Sequence, residues 1–205
     1  MTSTLLTILR NKDTKISAFR KAARKLSFIL AGRVMEQLEK DQITIETPIA
    51  KTNGCKLKNN IVLIPILRSG IALLDTFFRF FEDAKIGFIG LKRDEQTAIP
   101  HLYYDNLPKI ENSDDIIVLD PMIATGGSAC AALKILKDMG LREEKMIFVA
   151  VIGTNEGIAK IQREFPKIKI LCFQEDQKLN DKKYIVPGLG DFGDRYFGTV
   201  PEQEN

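Results

Sequence analysis

The chain begins with a long helical pattern of hydrophobic residues. Over residues 17–39 the apolar positions recur every three to four residues and form one stripe, made up of Phe19, Ala22, Ala23, Leu26, Leu30, Val34 and Leu38. This spacing predicts an amphipathic helix with Ser17 as its N-cap. Ile43, Ile45 and Thr47 then alternate as in a half-buried strand that ends at Pro48, and the polar residues 51–54 predict a turn. Residues 1–60 are thus expected to form a helix followed by a strand.

From residue 61 onward, short apolar runs alternate with helical patterns. The runs at 61–65, 86–91, 116–119, 146–152 and 168–173 predict strands, and the segments 71–81, 129–139 and 156–164 predict helices. Continuous apolar strands are buried on both faces, as in a parallel sheet. The pattern therefore predicts an α/β fold with a doubly wound, mostly parallel sheet flanked by helices, in a single domain over residues 1–205. Ligands of such sheets bind at the carboxyl ends of the strands.

Two segments lack a regular pattern. Residues 92–108 predict a long polar loop, which inside a compact domain is either a mobile functional loop or disordered. Residues 184–199 combine several glycines and a proline with aliphatic and aromatic residues, and they predict no regular element. A floppy tail is one interpretation. An ordered loop is favoured, because its exposed main chain could bind the edge of a planar base.

Composition and charge narrow the function classes. The 205 residues carry a formal net charge of +3, which is too small to indicate nucleic-acid binding. Arg20, Lys21, Arg24 and Lys25 form a basic cluster, for which a solvated helix face is favoured over an RNA patch. Three separated cysteines predict reduced thiols in a cytoplasmic protein, and a single histidine argues against a histidine-rich zinc site. Neither a signal peptide nor a membrane-spanning run is evident, so no membrane partner is expected.

The candidate chemistry centres on residues 116–129. A buried strand ends at Asp120, a loop contains residues 125–128 with the sequence T-G-G-S, and a helix pattern begins at Ala129. Glycines and a helix N-terminus favour an anion, although the same residues also occur in plain turns and caps. The stretch lacks the lysine of a Walker loop and the G-x-G-x-x-G of a dinucleotide site. Asp120 would repel a phosphate unless it binds hydroxyls or a cation, so the stretch predicts a phosphorylated sugar.

Motifs over essentially the whole chain resemble the uracil phosphoribosyltransferases, a type I phosphoribosyltransferase family. They are L-T-I-L-R at 6–10, E-T-P at 46–48, I-P-I-L-R-S-G at 64–70, I-G-L-K-R-D-E at 89–95, Y-Y at 103–104, D-P-M-I-A-T-G-G-S-A at 120–129 and Y-I-V-P-G-L-G-D-F-G-D-R-Y-F-G-T at 184–199. The resemblance implies transfer of a phosphoribosyl group from 5-phosphoribosyl 1-diphosphate (PRPP) to N1 of uracil. The products would be UMP and diphosphate, in pyrimidine salvage.

The resemblance also implies a PRPP site. Asp120 would hold the ribose hydroxyls, residues 124–128 the 5-phosphate, and Arg68 with its two following residues the diphosphate. A cis peptide is expected at Arg68–Ser69. The complete PRPP-binding set would be Arg68, Ser69, Gly70, Arg93, Asp120, Pro121, Met122, Ile123, Ala124, Thr125, Gly126, Gly127, Ser128 and Asp191.

Catalysis and base recognition are implied in the same way. Arg93, Asp120 and Asp191 would be the catalytic residues, with Arg93 closing over the leaving diphosphate from a flexible loop at 92–108. A C-terminal hood at 174–199 would bind uracil, largely by main-chain groups, through Ile185, Gly190, Asp191 and Phe192. Mg²⁺ would be held mainly by PRPP, with Asp191 contacting it through water and no direct protein ligand.

Departures and alternatives remain at this point. Phe192 stands where many bacterial relatives carry a small residue, which leaves the size of the base pocket open, and Lys92 and Ser69 also depart from the common pattern. The long first helix makes a homodimer or larger homo-oligomer plausible, and GTP activates some relatives. The alternatives are a pyrimidine-responsive RNA-binding regulator and a relative that has lost catalysis. The low charge argues against the first, and the retention of Arg93 and Asp120 argues against the second.

Overall fold

A mostly parallel sheet forms the centre of the computed structural model, which describes residues 2–94 and 100–199 except the side chains of Thr2 and Arg93. Within this part of the chain the helices are α1 (Thr2–Arg10), α2 (Ile16–Gln37), α3 (Ile71–Phe80), α4 (Gly127–Asp138), α5 (Asn155–Glu164) and α6 (Phe192–Phe197), with a 3₁₀ turn at Glu143–Lys145. The strands are β1 (Lys40–Glu46), β2 (Lys51–Leu57), β3 (Ile61–Leu67), β4 (Lys85–Ile86), β5 (Phe88–Arg93), β6 (Pro100–Asn106), β7 (Asp115–Leu119), β8 (Met122–Ile123), β9 (Met146–Thr154), β10 (Lys169–Asp176), β11 (Lys178–Leu179) and β12 (Ile185–Val186).

The main sheet has the strand order β10-β9-β7-β3-β5-β6, with β4 beside β3 and β8 beside β9. All of its pairs are parallel except β5–β6. Because successive side chains of a strand point to opposite faces, Leu63 and Ile117 pack with α1, α2 and α3, whereas Val62 and Ile116 pack with α4 and α5. The predicted α/β fold is confirmed. No helix among the described residues has the length and apolar character needed to cross a membrane.

Two predictions for the N-terminal part were wrong. Helix α2 begins at Ile16 after Lys15, which makes no side-chain cap, so Ser17 lies inside the first turn and is not the N-cap. Residues 51–54 are not a turn but the start of β2, which pairs antiparallel with β1. The turn lies at 47–50, where the Thr47 hydroxyl accepts hydrogen bonds from the N–H groups of Ile49 and Ala50. Cross-strand pairing over seven residues thus overrides the local turn signal.

The predicted loop at 92–108 is in large part a hairpin. Strand β5 continues to Arg93, and β6 pairs antiparallel with it from Pro100 to Asn106. Residues 95–99 lie outside the described part. Strand β6 is an edge strand, and its residues 101–106 are all exposed. Its sequence therefore lacks the alternation of apolar and polar residues from which a strand is predicted. Mobility of this segment stays a prediction.

The C-terminal segment has more regular structure than its composition predicted. Strands β11 and β12 pair, and the six-residue helix α6 follows. The segment is tied to the N-terminal helices: the Phe192 ring lies 5.1 Å from that of Phe19. Arg10 donates two hydrogen bonds to the Asp176 carboxylate, at 2.6 and 2.9 Å. It donates a third to the Gly188 carbonyl oxygen, at 3.0 Å. We call residues 174–199 the hood.

Candidate active site

A cleft of about 840 Å³ opens at the carboxyl ends of the central strands. Four segments meet there: the end of β3 with the turn into α3, the β5–β6 hairpin, the loop after β7, and the hood. The side chains and main-chain groups that line the cleft belong to Ile66, Leu67, Arg68, Ser69, Leu91, Lys92, Asp94, Tyr103, Asp120, Met122, Ala124, Ser128, Lys182, Lys183, Tyr184, Gly190, Asp191, Gly193 and Asp194. This is the sheet edge at which the sequence predicted a ligand site.

The loop after β7 approaches α5 so closely that two glycines are needed. Gly126 has φ +74°, and a Cβ there would lie 2.6 Å from the Gly157 carbonyl oxygen. Thr125 accepts a hydrogen bond at 3.3 Å from the Gly127 N–H, at the first residue of α4. The residues predicted to bind phosphate therefore form a tight turn at a helix N-terminus, where main-chain N–H groups favour an anion.

Thr154 and Gly157 support this loop from behind, and the sequence reasoning missed both. The Thr154 hydroxyl donates to the Ala124 carbonyl oxygen at 2.6 Å and accepts from the Gly157 N–H at 3.0 Å. Thr154 is the N-cap of α5 and is fully buried. A threonine at the end of an apolar strand, directly before a helical pattern, was the available sign of this cap.

Asp120 lies where the strand β7 ends, and it is 8% exposed. Its carboxylate accepts a hydrogen bond from the Met122 N–H at 3.3 Å. The Pro121 carbonyl oxygen accepts hydrogen bonds from the N–H groups of Val151 and Ile152, at 3.0 Å each. Pro121 thus anchors the loop to β9, while Asp120, Met122, Ala124 and Ser128 face the cleft. Ile123 is buried in the core and does not line the cleft.

The turn from β3 to α3 brings Arg68 and Ser69 to the cleft. Its cis peptide bond is Leu67–Arg68, one residue before the predicted position, so that prediction was wrong. A Cβ on Gly70 would lie 2.3 Å from the Leu119 carbonyl oxygen, which means that the turn packs directly on the end of β7. The Arg68 guanidinium is 3.6 Å from the Asp194 carboxylate.

The hood meets this turn through the start of α6. Asp191 is the N-cap of α6, and its carboxylate accepts a hydrogen bond from the Asp194 N–H at 2.8 Å. A Cβ on Gly193 would lie 2.7 Å from the Ser69 hydroxyl, so the hood and the Arg68 turn are in contact. Gly190 has φ +78°, which side chains rarely adopt. Asp194, a cleft residue, was missed, although it is the second acid of the G-D-F-G-D-R motif.

Two residues predicted to bind uracil keep their side chains out of the cleft. Phe192 is fully buried between Phe19 and Tyr196, and Ile185 is 5% exposed and lies in the same core cluster. The ring of Phe192 therefore does not narrow the cleft, which answers the question that this departure raised. Only main-chain groups of these residues are available to a base.

Charges of both signs line the cleft. The cations are Arg68, Lys92, Lys182 and Lys183, and the carboxylates are Asp94, Asp120, Asp191 and Asp194. Among the described residues no group of three His, Cys, Asp or Glu side chains is placed to hold a metal ion. Carboxylate oxygens are nevertheless ligands that Mg²⁺ accepts, and Mg²⁺ usually binds through one or two of them together with substrate phosphates. The donor set fits a metal that arrives with a phosphorylated ligand.

The remaining predicted residues are placed as follows. Thr125, Gly126 and Gly127 lie in the loop between Ala124 and Ser128, and Gly70 lies behind Ser69. The backbone of Arg93 is the last residue of β5, and its side chain lies outside the described part. Tyr103, which belongs to the Y-Y motif, also lines the cleft, as do Lys182 and Lys183 of the hood; the sequence analysis assigned no role to these three residues.

Comparisons with known proteins agree on one family. The model of the family "Uracil phosphoribosyltransferase" matches residues 1–199. A uracil phosphoribosyltransferase of Malacoplasma penetrans is 45% identical over 194 residues, covering 95% of this chain and 93% of that protein. The solved AQ2163 protein of Aquifex aeolicus superimposes with a TM-score of 0.86 at 34% identity, covering 98% of this chain and 96% of that one. A purine phosphoribosyltransferase of Pyrococcus horikoshii, with a TM-score of 0.50 at 12% identity over 77% of this chain and 82% of its own, shares the fold. The chain belongs to the uracil phosphoribosyltransferase family.

Proposed function

We propose that this chain transfers the 5-phosphoribosyl group of PRPP to N1 of uracil, with UMP and diphosphate as products. One observation carries the proposal: Asp120 and the T-G-G-S loop lie in the same cleft as the Arg68 turn and the hood. In this proposal these residues supply a sugar hydroxyl site, a phosphate cradle, a cation and a main-chain surface for a planar base. Family membership supports the same assignment.

The loop after β7 holds the sugar phosphate in this proposal. The main-chain N–H groups at residues 124–128 and the Ser128 hydroxyl bind the 5-phosphate, since they stand at the start of α4. Asp120 accepts hydrogen bonds from the ribose hydroxyls. A hydroxyl donates to a carboxylate, whereas an ionised phosphate group has no hydrogen to donate. Arg68 and the Ser69 turn bind the diphosphate at the other end of the cleft.

The leaving group decides the rate. Breaking the bond from the anomeric carbon to diphosphate gives an oxocarbenium-like sugar, and negative charge grows on the diphosphate. Cations placed beside the diphosphate therefore stabilise the transition state most strongly. A charge about 5 Å away at an effective dielectric of about 20 contributes roughly 3 kcal/mol, or about a hundredfold in rate. Arg93, at the end of β5, supplies that charge, and the segment that follows it shields the sugar from water.

Mg²⁺ fits this cleft as a partner of the diphosphate. When bound it neutralises diphosphate charge, and PRPP supplies most of its ligands. Asp191 would contact the ion through a water molecule, and its carboxylate also caps α6. No direct protein ligand is proposed.

The hood selects the base through its main chain. The side chains of Ile185 and Phe192 are buried, so their N–H and C=O groups and those of Gly190 and Asp191 are the groups that face uracil. A main-chain N–H that donates to O4 of uracil would meet the amino group of cytosine donor to donor. Polar sites reject such a mismatch strongly. Cytosine should therefore give little product.

The direct test is to incubate the protein with PRPP, Mg²⁺ and uracil and to measure UMP. Arg93→Ala should lower kcat about a hundredfold and leave UMP affinity nearly unchanged, because UMP carries no leaving diphosphate. Lys134→Ala, an exposed change on α4, is the control. An equal loss of turnover and UMP affinity in Arg93→Ala would contradict the leaving-group role. Comparable kcat/KM for cytosine and uracil would contradict the role of the hood.

Assembly, regulation and location complete the proposal. We propose that the chain is a single domain and works in the cytoplasm. We also propose a homodimer or larger homo-oligomer, because two apolar residues of the β1–β2 hairpin, Ile45 and Ile49, are 43% and 95% exposed. Sedimentation of a single species with the mass of one chain would contradict this. GTP as an activator rests on the family resemblance alone, and uracil kinetics with and without GTP test it.

A further inference from the structure

The guanidinium of Arg195 joins the hood to the end of α1. It donates a hydrogen bond to the Leu189 carbonyl oxygen at 2.7 Å, one to the Asn11 carbonyl oxygen at 2.6 Å and one to the Leu9 carbonyl oxygen. It also lies over the Phe19 ring, 4.5 Å from the ring centroid. The last carbonyl groups of a helix lack partners within the helix, so a cation is favourable there. Arg195 is thus held by α1 and α2, and it holds one carbonyl group of the hood in turn.

The Leu189 carbonyl oxygen belongs to the peptide group that also contains the Gly190 N–H. This peptide bond is trans, so its oxygen and its hydrogen point in opposite directions. Because the oxygen points to the Arg195 guanidinium, the N–H points away from it. Gly190 is exposed and lines the cleft, and within the described part of the chain its N–H donates to no protein group. The N–H is therefore available to a ligand in the cleft.

The neighbouring peptide groups are held by other side chains. The Gly188 N–H donates to the Asp176 carboxylate at 2.9 Å, and the Gly188 carbonyl oxygen accepts from Arg10 at 3.0 Å. For the next peptide group, the hydrogen bond from Arg195 is the only one among the described residues. Gly190 has φ +78°, and glycine adopts φ values of either sign at little cost. Inversion of this peptide group is therefore opposed mainly by Arg195.

We propose that Arg195 is a positioning residue for base selection: by holding the Leu189 carbonyl oxygen, it keeps the Gly190 N–H turned toward the base, where it donates to O4 of uracil. The inference rests on the proposed function and assigns the donor that the hood uses. If the peptide group were inverted, the Leu189 carbonyl oxygen would face the base instead. A carbonyl oxygen accepts from the amino group of cytosine and repels O4 of uracil. The orientation of one peptide group thus decides between the two bases.

The test compares Arg195→Lys with wild type in the full chain, by kcat/KM for uracil and for cytosine at saturating PRPP and Mg²⁺. A lysine keeps the charge, but its compact ammonium group does not reproduce the planar fork that reaches three carbonyl groups. We expect kcat/KM for uracil to fall about tenfold and kcat/KM for cytosine to rise about tenfold, because one hydrogen bond is lost and one is gained. The ratio of the two constants should fall about a hundredfold. Partial unfolding cannot produce this result, since it lowers both constants equally.

Arg20→Gln is the matched control. Arg20 also donates to a carbonyl oxygen of the hood, that of Tyr196 at 2.8 Å, and its guanidinium also lies over an aromatic ring. Its hydrogen bond is at the other end of α6, away from Gly190. The ratio of kcat/KM for uracil to that for cytosine should therefore change less than about twofold in this variant.

A crystal structure of Arg195→Lys without ligand gives a second readout, which does not depend on the reaction. We expect the peptide group between Leu189 and Gly190 to be inverted or to occupy two orientations. A peptide group that keeps its single orientation in the variant would overturn the proposal. An unchanged ratio of the two constants, even at lower activity, would also overturn it and make Arg195 a structural clamp only. If wild type forms no UMP from uracil, the proposed function fails, and the crystal structure still decides whether Arg195 holds the peptide group.

Discussion

The substitution Gly157→Ala tests how the phosphate loop is held in place. Gly157 is the third residue of α5, a position where alanine ordinarily stabilises a helix by about 1 kcal/mol over glycine. Here a Cβ would lie 2.3 Å from the Ala124 carbonyl oxygen and 3.0 Å from the Ile123 side chain. The loop that carries the proposed phosphate site would have to move.

The size of this effect follows from the distances. A carbon and a carbonyl oxygen need a separation of roughly 3.3 Å, so either the loop or α5 must shift by about 1 Å. Such a shift would stretch the 2.6 Å hydrogen bond from Thr154 to Ala124. Overpacking of this kind costs about 1–3 kcal/mol in the free energy of unfolding. A displacement of about 1 Å at a site that positions a substrate can lower the rate about a hundredfold.

The assay compares Gly157→Ala with Gly32→Ala. Gly32 lies inside α2, and beyond its own stretch of the helix no atom of the described residues lies within 4 Å of the position that a Cβ would take. The same substitution should therefore stabilise the protein by about 1 kcal/mol and leave the kinetics unchanged. Gly157→Ala should lower the melting temperature and reduce kcat/KM for PRPP about a hundredfold. If Gly157→Ala stabilises the protein as Gly32→Ala does and keeps normal PRPP kinetics, α5 does not position the loop.

Three further predictions concern the hood. Asp194→Asn removes a partly exposed ion pair with Arg68, so it should change the free energy of unfolding by less than about 1 kcal/mol. It should raise the KM for PRPP up to about fivefold, and an unchanged KM would show that the pairing does not orient Arg68. Burial alone would raise the pKa of Asp176, but hydrogen bonds, chiefly from Arg10, hold it below its ordinary 3.8. The stabilisation it provides is therefore complete above that value and lost as pH falls below it, so Asp176→Asn should cost about 2 kcal/mol at pH 7 and flatten the acid limb of a stability profile. Phe192→Ala should cost about 3–5 kcal/mol in urea unfolding and raise the KM for uracil, whereas a loss below 1 kcal/mol would mean that the ring does not anchor the hood.

The order of elements was predictable because burial leaves a direct trace in the sequence. Strands β3, β7 and β9 are covered on both faces and appear as continuous apolar runs, and α2 shows one apolar stripe. Strand β6 has no such trace, since it is an edge strand with exposed side chains. The prediction of a turn at 51–54 was wrong for a related reason. The extended conformation of this segment comes from its pairing with β1, and its own residues carry no sign of that pairing.

The sequence by itself determined the class of the fold and the strand–loop–helix order that sets Asp120 beside the T-G-G-S loop, because both follow from adjacent residues and their local conformation. Only the tertiary structure decided which distant groups join them. The approach of Gly157 to Ala124, the contact of Gly193 with Ser69 and the burial of Phe192 all depend on packing between elements far apart in the chain. Local periodicity carries information about burial and none about partners, so these contacts exist only once the chain has folded.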